Sequence, residues 1–268
     1  MRPFLLCLLL AAAPVPARTA ETAWDAIAPM LLEGRTPLPA GEAIRIASPY
    51  RTENDARTVI GIEAEAPGGR LIERVTVVLD ENPMPVSAVL ELARPEPWLA
   101  FDVTFRINGP TPLHVLAETA DGEVYLAEGF VKTSGQGACA APPGTDPEAA
   151  LARLGEMSLE MTPLGAAGRL AALAHAGPEA RLGIGIRHPS LSGLQRDQVT
   201  LLFIPMRYVE RLEVELDGQP YAALTGSISL SENPEIGLNV PAGTRHAEAT
   251  MTDTEGTITH AGKDFPGY

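Results

Sequence analysis

The chain has 268 residues, 45% of them hydrophobic and 5% aromatic, which is enough apolar material for two modest cores. A formal net charge of −14 counts against nucleic acid or an anionic membrane surface as a partner and fits basic protein partners better. The same acidity also serves solubility alone.

Arg2 and the apolar run over 4–13 open the chain, and Val15-Pro16-Ala17 offers small residues at positions a signal peptidase reads. Residues 1–20 are therefore expected to be a signal peptide, with the mature chain starting near Arg18 and exported from the cytoplasm. The apolar run is about half the length of roughly 20 residues that a membrane-spanning helix needs. Cys7 lies inside it and is expected to leave with it, so Cys139 is the one cysteine of the mature chain.

Thr22-Ala23-Trp24-Asp25 has the form of a capping box, with apolar positions at Trp24, Ile27 and Leu31 and a stop at Gly34. One short helix is predicted there. Strands are predicted over 43–47, 58–64, 71–79, 86–92, 99–107, 113–118 and 124–133, punctuated by Asp80-Glu81-Asn82-Pro83, Asn108-Gly109-Pro110 and Asp121-Gly122. Short strands at this spacing suggest a β-sandwich. In the third of them Leu71, Val75, Val77 and Leu79 alternate until Val78 intervenes, so that strand is expected to be covered on both sides.

The stretch from Ser134 through Gly135, Gln136, Gly137, Ala138, Cys139, Ala140 and Ala141 to Gly144 contains no large apolar residue with which to enter a core. It is expected to be an exposed, mobile loop carrying a free thiol. A lone cysteine is otherwise a small buried hydrophobe, or one half of an intermolecular disulfide. Residues 146–178 turn rich in Ala, Leu, Glu and Met, with Asp146-Pro147 suited to a helix start, and predict a linker with local helix. Met157 and Met161, four apart, read as packing rather than as a copper pair.

Strands are predicted again over 181–187, 198–204, 209–216, 221–230, 235–240, 246–252 and 257–260. Leu212, Val214 and Leu216 alternate with Glu213 and Glu215 up to the Asp217-Gly218 turn, the pattern of a half-buried strand. The fold class is thus mainly β: two immunoglobulin-like β-sandwiches, over 21–134 and 179–268, joined by the cysteine arm 135–145 and a partly helical linker. His114, His175, His188, His246 and His260 have neither catalytic sequence context nor the spacing of a metal site, so no metal, cofactor or catalytic residue is expected. His188, beside Pro189, reads as a turn or interface residue.

The second half resembles SoxZ, through His188-Pro189, Gly193, Arg196-Asp197, Ile204-Pro205, Asp217-Gly218, Ser229-Leu230-Ser231-Glu232-Asn233-Pro234, Asp253 and Gly256. The first half is similar to SoxY through 79–85, Thr104-Phe105-Arg106-Ile107, Ala117-Glu118 and 121–125. The order looks like the fused SoxY-SoxZ form found near quinoprotein dehydrogenases. The resemblance implies a periplasmic, non-catalytic carrier that holds sulfur-containing, thiosulfate-type intermediates covalently on Cys139. It would present them to partner enzymes of sulfur oxidation or of a quinoprotein dehydrogenase-linked system, its two halves pairing within one chain. In free SoxY the cysteine lies in a Gly-Gly-Cys-Gly-Gly tail, whereas here Gly137-Ala138-Cys139-Ala140-Ala141 is tied into the chain on both sides.

A swinging thiol needs slim neighbours and a free backbone, which Gly135, Gly137, Ala138, Ala140 and Ala141 supply. Six or seven residues on each side at about 3.3 Å each allow a reach of roughly 20 Å. A free cysteine with pKa about 8.5 is only slightly ionised at neutral pH. Lys132, the one nearby cation in sequence, reads as a solvated strand end, which leaves thiol activation to a partner. Two other classes remain open. One is an enzyme using Cys139 as nucleophile, and the other a structural immunoglobulin-like protein in which Cys139 is incidental or cross-links two chains.

Overall fold

The computed structural model describes residues 22–135, 138, 147–164, 179–196 and 201–266. The expected signal segment 1–20, Cys139 and most of its stretch lie outside the described residues. Helix α1 (Ala23–Leu32) begins at the expected capping box, where the Asp25 amide donates to Thr22 Oγ1 at 3.1 Å and the Thr22 amide donates to Asp25 Oδ2 at 3.0 Å. Trp24, Ile27 and Leu31 pack on Val78, Leu116 and Val124, which closes the outer side of the first-half strands. Val78 breaks the alternation of its strand because it is buried under this helix.

The first half supplies β1 (Leu38–Pro39), β2 (Ile44–Ala47), β3 (Thr58–Glu65), β4 (Ile72–Leu79), β5 (Val86–Glu96), β6 (Trp98–Phe105), β7 (Thr111–Thr119) and β8 (Val124–Val131). The second half starts with a short helix α2 (Pro147–Ala152). It continues with β9 (Met157–Pro163), β10 (Glu179–Ile186), β11 (Val209–Leu216), β12 (Gln219–Gly226), β13 (Glu235–Pro241), β14 (His246–Asp253) and β15 (Ile258–Asp264). Leu212, Val214 and Leu216 of β11 face inward as predicted, and Asp217 and Gly218 both take positive φ, the geometry of a tight hairpin turn.

The fold is mainly β, with two layers that run through both halves. Among the described residues nine strands form one sheet, in the order β1-β8-β7-β4-β5-β12-β11-β14-β15, and six form the other, β2-β3-β6-β13-β10-β9. The consecutive strands β5 and β6 lie in opposite sheets, so each offers an edge to the second half. Along β5 and β12 Leu90 stands opposite Leu224, and along β6 and β13 Val103 stands opposite Ile236. One hydrophobic core follows, running from Ile60, Phe105 and Leu113 to Leu182, Leu238 and Met251. Full burial of each such side chain contributes about 1.5–3 kcal/mol. The two sandwiches are joined edge to edge by hydrogen-bonded strands and not by the linker alone.

The junction is also closed by polar contacts between the two Asn-Pro segments. Buried Asn82 donates to the Arg106 carbonyl and to Ser229 Oγ, both at 2.9 Å, and its Oδ1 accepts the Asn108 amide at 3.0 Å. The Thr104 and Ser231 hydroxyls are 2.7 Å apart, and the Arg106 amide donates to the Ser229 carbonyl at 2.7 Å. Residues that look like turn punctuation in sequence thus fasten one half to the other.

Two expectations are corrected. Among the described residues of the linker 146–178 helix covers only α2, and Met157–Pro163 is an edge strand paired with β10. Leu159 and Met161 point into the core while Ser158 and Glu160 face out, so Met157 and Met161 share a strand face rather than a helix face. Gly155 makes the turn into β9, at φ 83°, and a Cβ there would run into the Thr259 side chain. The strand predicted over 198–204 does not form where it is described: Leu201, Leu202 and Phe203 are exposed, and the pairing is a lone bridge from Phe203 to Arg196.

Candidate functional site: the root of the cysteine segment

β8 delivers the chain to the segment that carries Cys139. Val131 is fully buried, and Lys132 is tied to a neighbouring loop: its amide donates to the Tyr50 carbonyl at 2.8 Å and its carbonyl accepts the Thr52 amide at 2.9 Å. The Lys132 ammonium lies 4.9 Å from the centre of the Tyr50 ring, a cation–π contact where a merely solvated strand end was expected. Arg51 adds a second cation, donating to the Thr133 carbonyl at 2.9 Å.

Asp55 fixes the next two residues. Its carboxylate, in a residue only 1% exposed, accepts the Ser134 amide at 2.6 Å on one oxygen and the Gly135 amide at 3.1 Å on the other. These are charge-assisted bonds to consecutive backbone donors, stronger than neutral hydrogen bonds of the same kind. Asp55 is itself held, since its carbonyl accepts the Ile107 amide at 2.8 Å. Gly135 takes φ 95°, where a side chain would be strained.

Beyond this root Ala138 is 2% exposed, whereas the sequence placed it in an exposed stretch. Cys139, Gly137, Ala140 and Ala141 lie outside the described residues. Covalent geometry keeps the Cys139 Cα about 3.8 Å from that of buried Ala138. That is shorter than the reach expected from six or seven free residues, because Ser134 and Gly135 are pinned and Ala138 is buried. Arg51 and Asp55 escaped sequence reasoning, being some 80 positions away from the segment they hold with no local pattern to betray the contact.

The described histidines are engaged elsewhere. His114 stacks on Trp24 at 4.3 Å and meets Asp80 at 3.1 Å, while His246 bridges Asp264 and Glu248 and His260 meets the Thr250 hydroxyl. His188 is fully buried. Its Nδ1 accepts the Ser190 amide at 2.9 Å, which leaves the proton on Nε2, 3.5 Å from Asp253. Burial lowers its pKa to about 4, against the opposing pull of Asp253. Burial raises Asp253, but the Arg207 guanidinium at 2.7 Å together with the Thr257 and Glu255 amides outweighs it and holds that carboxyl below its usual range. His188 is thus a neutral structural residue under the loop that precedes β11. Among the described residues no three His, Cys, Asp or Glu side chains are placed to hold a metal ion.

The chain is a two-part β-protein of two edge-joined sandwiches, with Cys139 eight residues past the end of β8 in sequence. Residues 29–139 match the family model of the sulfur oxidation protein SoxY, and residues 169–263 match that of the sulphur oxidation protein SoxZ. The chain belongs to these families as a fusion of a SoxY domain and a SoxZ domain, and as such it is a sulfur-oxidation carrier protein. Among solved structures it is similar to the sulfur carrier protein SoxY from Chlorobium limicola f thiosulfatophilum, with 22% identity and a TM-score of 0.35, over 42% of this chain and 96% of that one. No curated protein matches.

Proposed function

We propose that this chain is an exported, non-catalytic carrier that binds sulfur-containing intermediates covalently on Cys139 and presents them to partner enzymes in the periplasm. Residues 1–20 would direct export, and residues 135–145 would form the arm between the two paired halves. The observation that carries the proposal is the SoxY match running to residue 139, the lone cysteine, four residues past a backbone pinned by Asp55.

The chemistry needs little from the chain itself. Joining a thiolate to thiosulfate forms one sulfur–sulfur bond and releases two electrons: the thiolate and the thiosulfate dianion give a singly charged S-thiosulfonate adduct. A redox partner would take those electrons, and the quinoprotein dehydrogenase-linked system or the sulfur-oxidation enzymes are the candidate partners. A slim segment anchored at a rigid root lets the sulfur enter a partner's active site while the body stays outside. Basic partner surfaces would meet the acidic body favourably.

The test is reconstitution with a sulfur-oxidising partner extract. The wild-type chain supports thiosulfate-dependent electron transfer, Cys139→Ala abolishes it, and the purified chain alone gives no turnover with or without the change. Turnover by the purified chain alone, lost in Cys139→Ala, would make it an enzyme instead.

A further inference from the structure

Three arginines from separate parts of the chain converge on one cleft of about 370 Å³ at the junction of the two halves. Arg57 precedes β3 in the first half, Arg153 follows α2, and Arg187 follows β10. Two of them are compensated. Arg57 Nη2 lies 2.6 Å from Glu235, and Arg153 Nη2 lies 2.8 Å from Glu156. Arg57 also donates through Nη1 to the carbonyls of Glu232 and Asn233, which anchors it across the junction.

Arg187 differs. Its backbone is locked, the amide donating to the Glu156 carbonyl at 2.8 Å and the carbonyl accepting the Gly155 amide at 2.7 Å. Its residue is exposed, and its guanidinium has no hydrogen bond or ion pair among the described residues. Among the described lining residues three guanidinium groups stand against two carboxylates, on a chain that carries −14 overall, while Glu232, which also feels Arg57, lies outside the lining. The space is kept open by Gly185, where a Cβ would come within 2.8 Å of the Ser158 hydroxyl.

We propose that this cleft is a non-covalent binding site for a small divalent oxyanion of the sulfate or thiosulfate type. Arg187 is the principal ligand, the Ser158 hydroxyl a neutral donor, and the Arg57 and Arg153 charges support it from the walls. A guanidinium presents a planar fork of donors that fits two oxygens of such an anion, and a backbone-fixed arginine loses little freedom in binding it. The partly enclosed wall strengthens the attraction relative to open water. The cleft has room for a tetrahedral anion with part of its hydration shell, since a water takes about 30 Å³. This site goes beyond the carrier role and does not depend on Cys139 chemistry.

The test therefore uses the full chain with Cys139→Ser, so that covalent loading cannot contribute. Sodium sulfate and sodium thiosulfate are titrated in turn by calorimetry, with sodium chloride holding ionic strength constant. The expected result is saturable binding to one site, weakened about tenfold or more in Arg187→Gln. Arg196→Gln, a change on a different loop, leaves it unaltered, and circular dichroism confirms that both variants are folded. No saturable binding, or binding that Arg187→Gln leaves unchanged, or equal weakening in Arg196→Gln, would overturn the proposal.

Discussion

Asp55 and Ser134, 79 residues apart in the chain, are joined by a 2.6 Å hydrogen bond from the Ser134 amide to a buried carboxylate oxygen. With the Gly135 amide on the second oxygen, this fixes the point at which the cysteine segment leaves the sandwich. Asp55→Asn keeps one acceptor and turns an amide group against the other N–H, leaving one backbone donor without a partner. A loss of about 1–3 kcal/mol in stability is expected. Hydrogen exchange at Ser134 and Gly135 should quicken in the variant, and unchanged protection at both amides would show that the carboxylate does not hold them.

The continuous sheets predict how the chain unfolds. Because β5 pairs with β12 and β6 with β13 around one core, neither half keeps its inner edge when the other melts. Calorimetry should give one cooperative transition whose calorimetric and van't Hoff enthalpies agree. Two separated transitions would mean that the halves are independent. Leu90→Ala, at the junction, should cost about 2–5 kcal/mol and lower that single transition.

Gly155 combines positive φ with contact against Thr259, so Gly155→Ala should destabilise through both strain and a clash. Gly122 has φ 93° and nothing near its missing Cβ, so Gly122→Ala reports strain alone. Urea denaturation should show the greater loss for Gly155→Ala, with part recovered when Thr259→Ala is added. Equal losses at the two glycines would remove the contact from the account.

His188 makes stability depend on pH. Unfolded, it takes a proton near 6.5; folded, burial delays this to about 4. Between those values the unfolded chain binds more protons, so stability falls as pH falls through the window, by about 3 kcal/mol in full. His188→Asn keeps an oxygen to accept the Ser190 amide but cannot titrate, and should flatten this part of the profile. His246 acts oppositely. Its hydrogen bond to Asp264, then that to Glu248, raises its pKa, so its contribution is present below the ordinary histidine range and fades as pH rises through the raised value. A profile equally steep in His188→Asn would contradict the assignment.

Local signals were legible in the sequence, and remote ones were not. The capping box at Thr22, the alternation of β11 and the double burial around Val78 rest on neighbours a few positions apart, and each is found. β9 was hidden because Met, Leu and Glu favour helix, although Leu159 and Met161 alternate with Ser158 and Glu160. The exposed run at Leu201–Phe203 misled in the other direction, since apolar content alone does not place a segment in the core. The Asp55 anchor, the edge pairing of the halves and the arginine cleft join residues far apart in sequence. That the halves pair was expected from the resemblance, but a chain read linearly gives no sign of which edges or side chains meet.

The central claim is that Cys139 carries sulfur. Intact-mass spectrometry of the protein isolated from the producing cell's exported fraction, without reductant, tests it most directly. The account predicts a mature chain bearing a mixture of sulfur and oxosulfur adducts, all removed by reductant and absent from Cys139→Ala. A uniformly unmodified thiol that resists alkylation in the folded protein, or a disulfide-linked pair of chains, would contradict it.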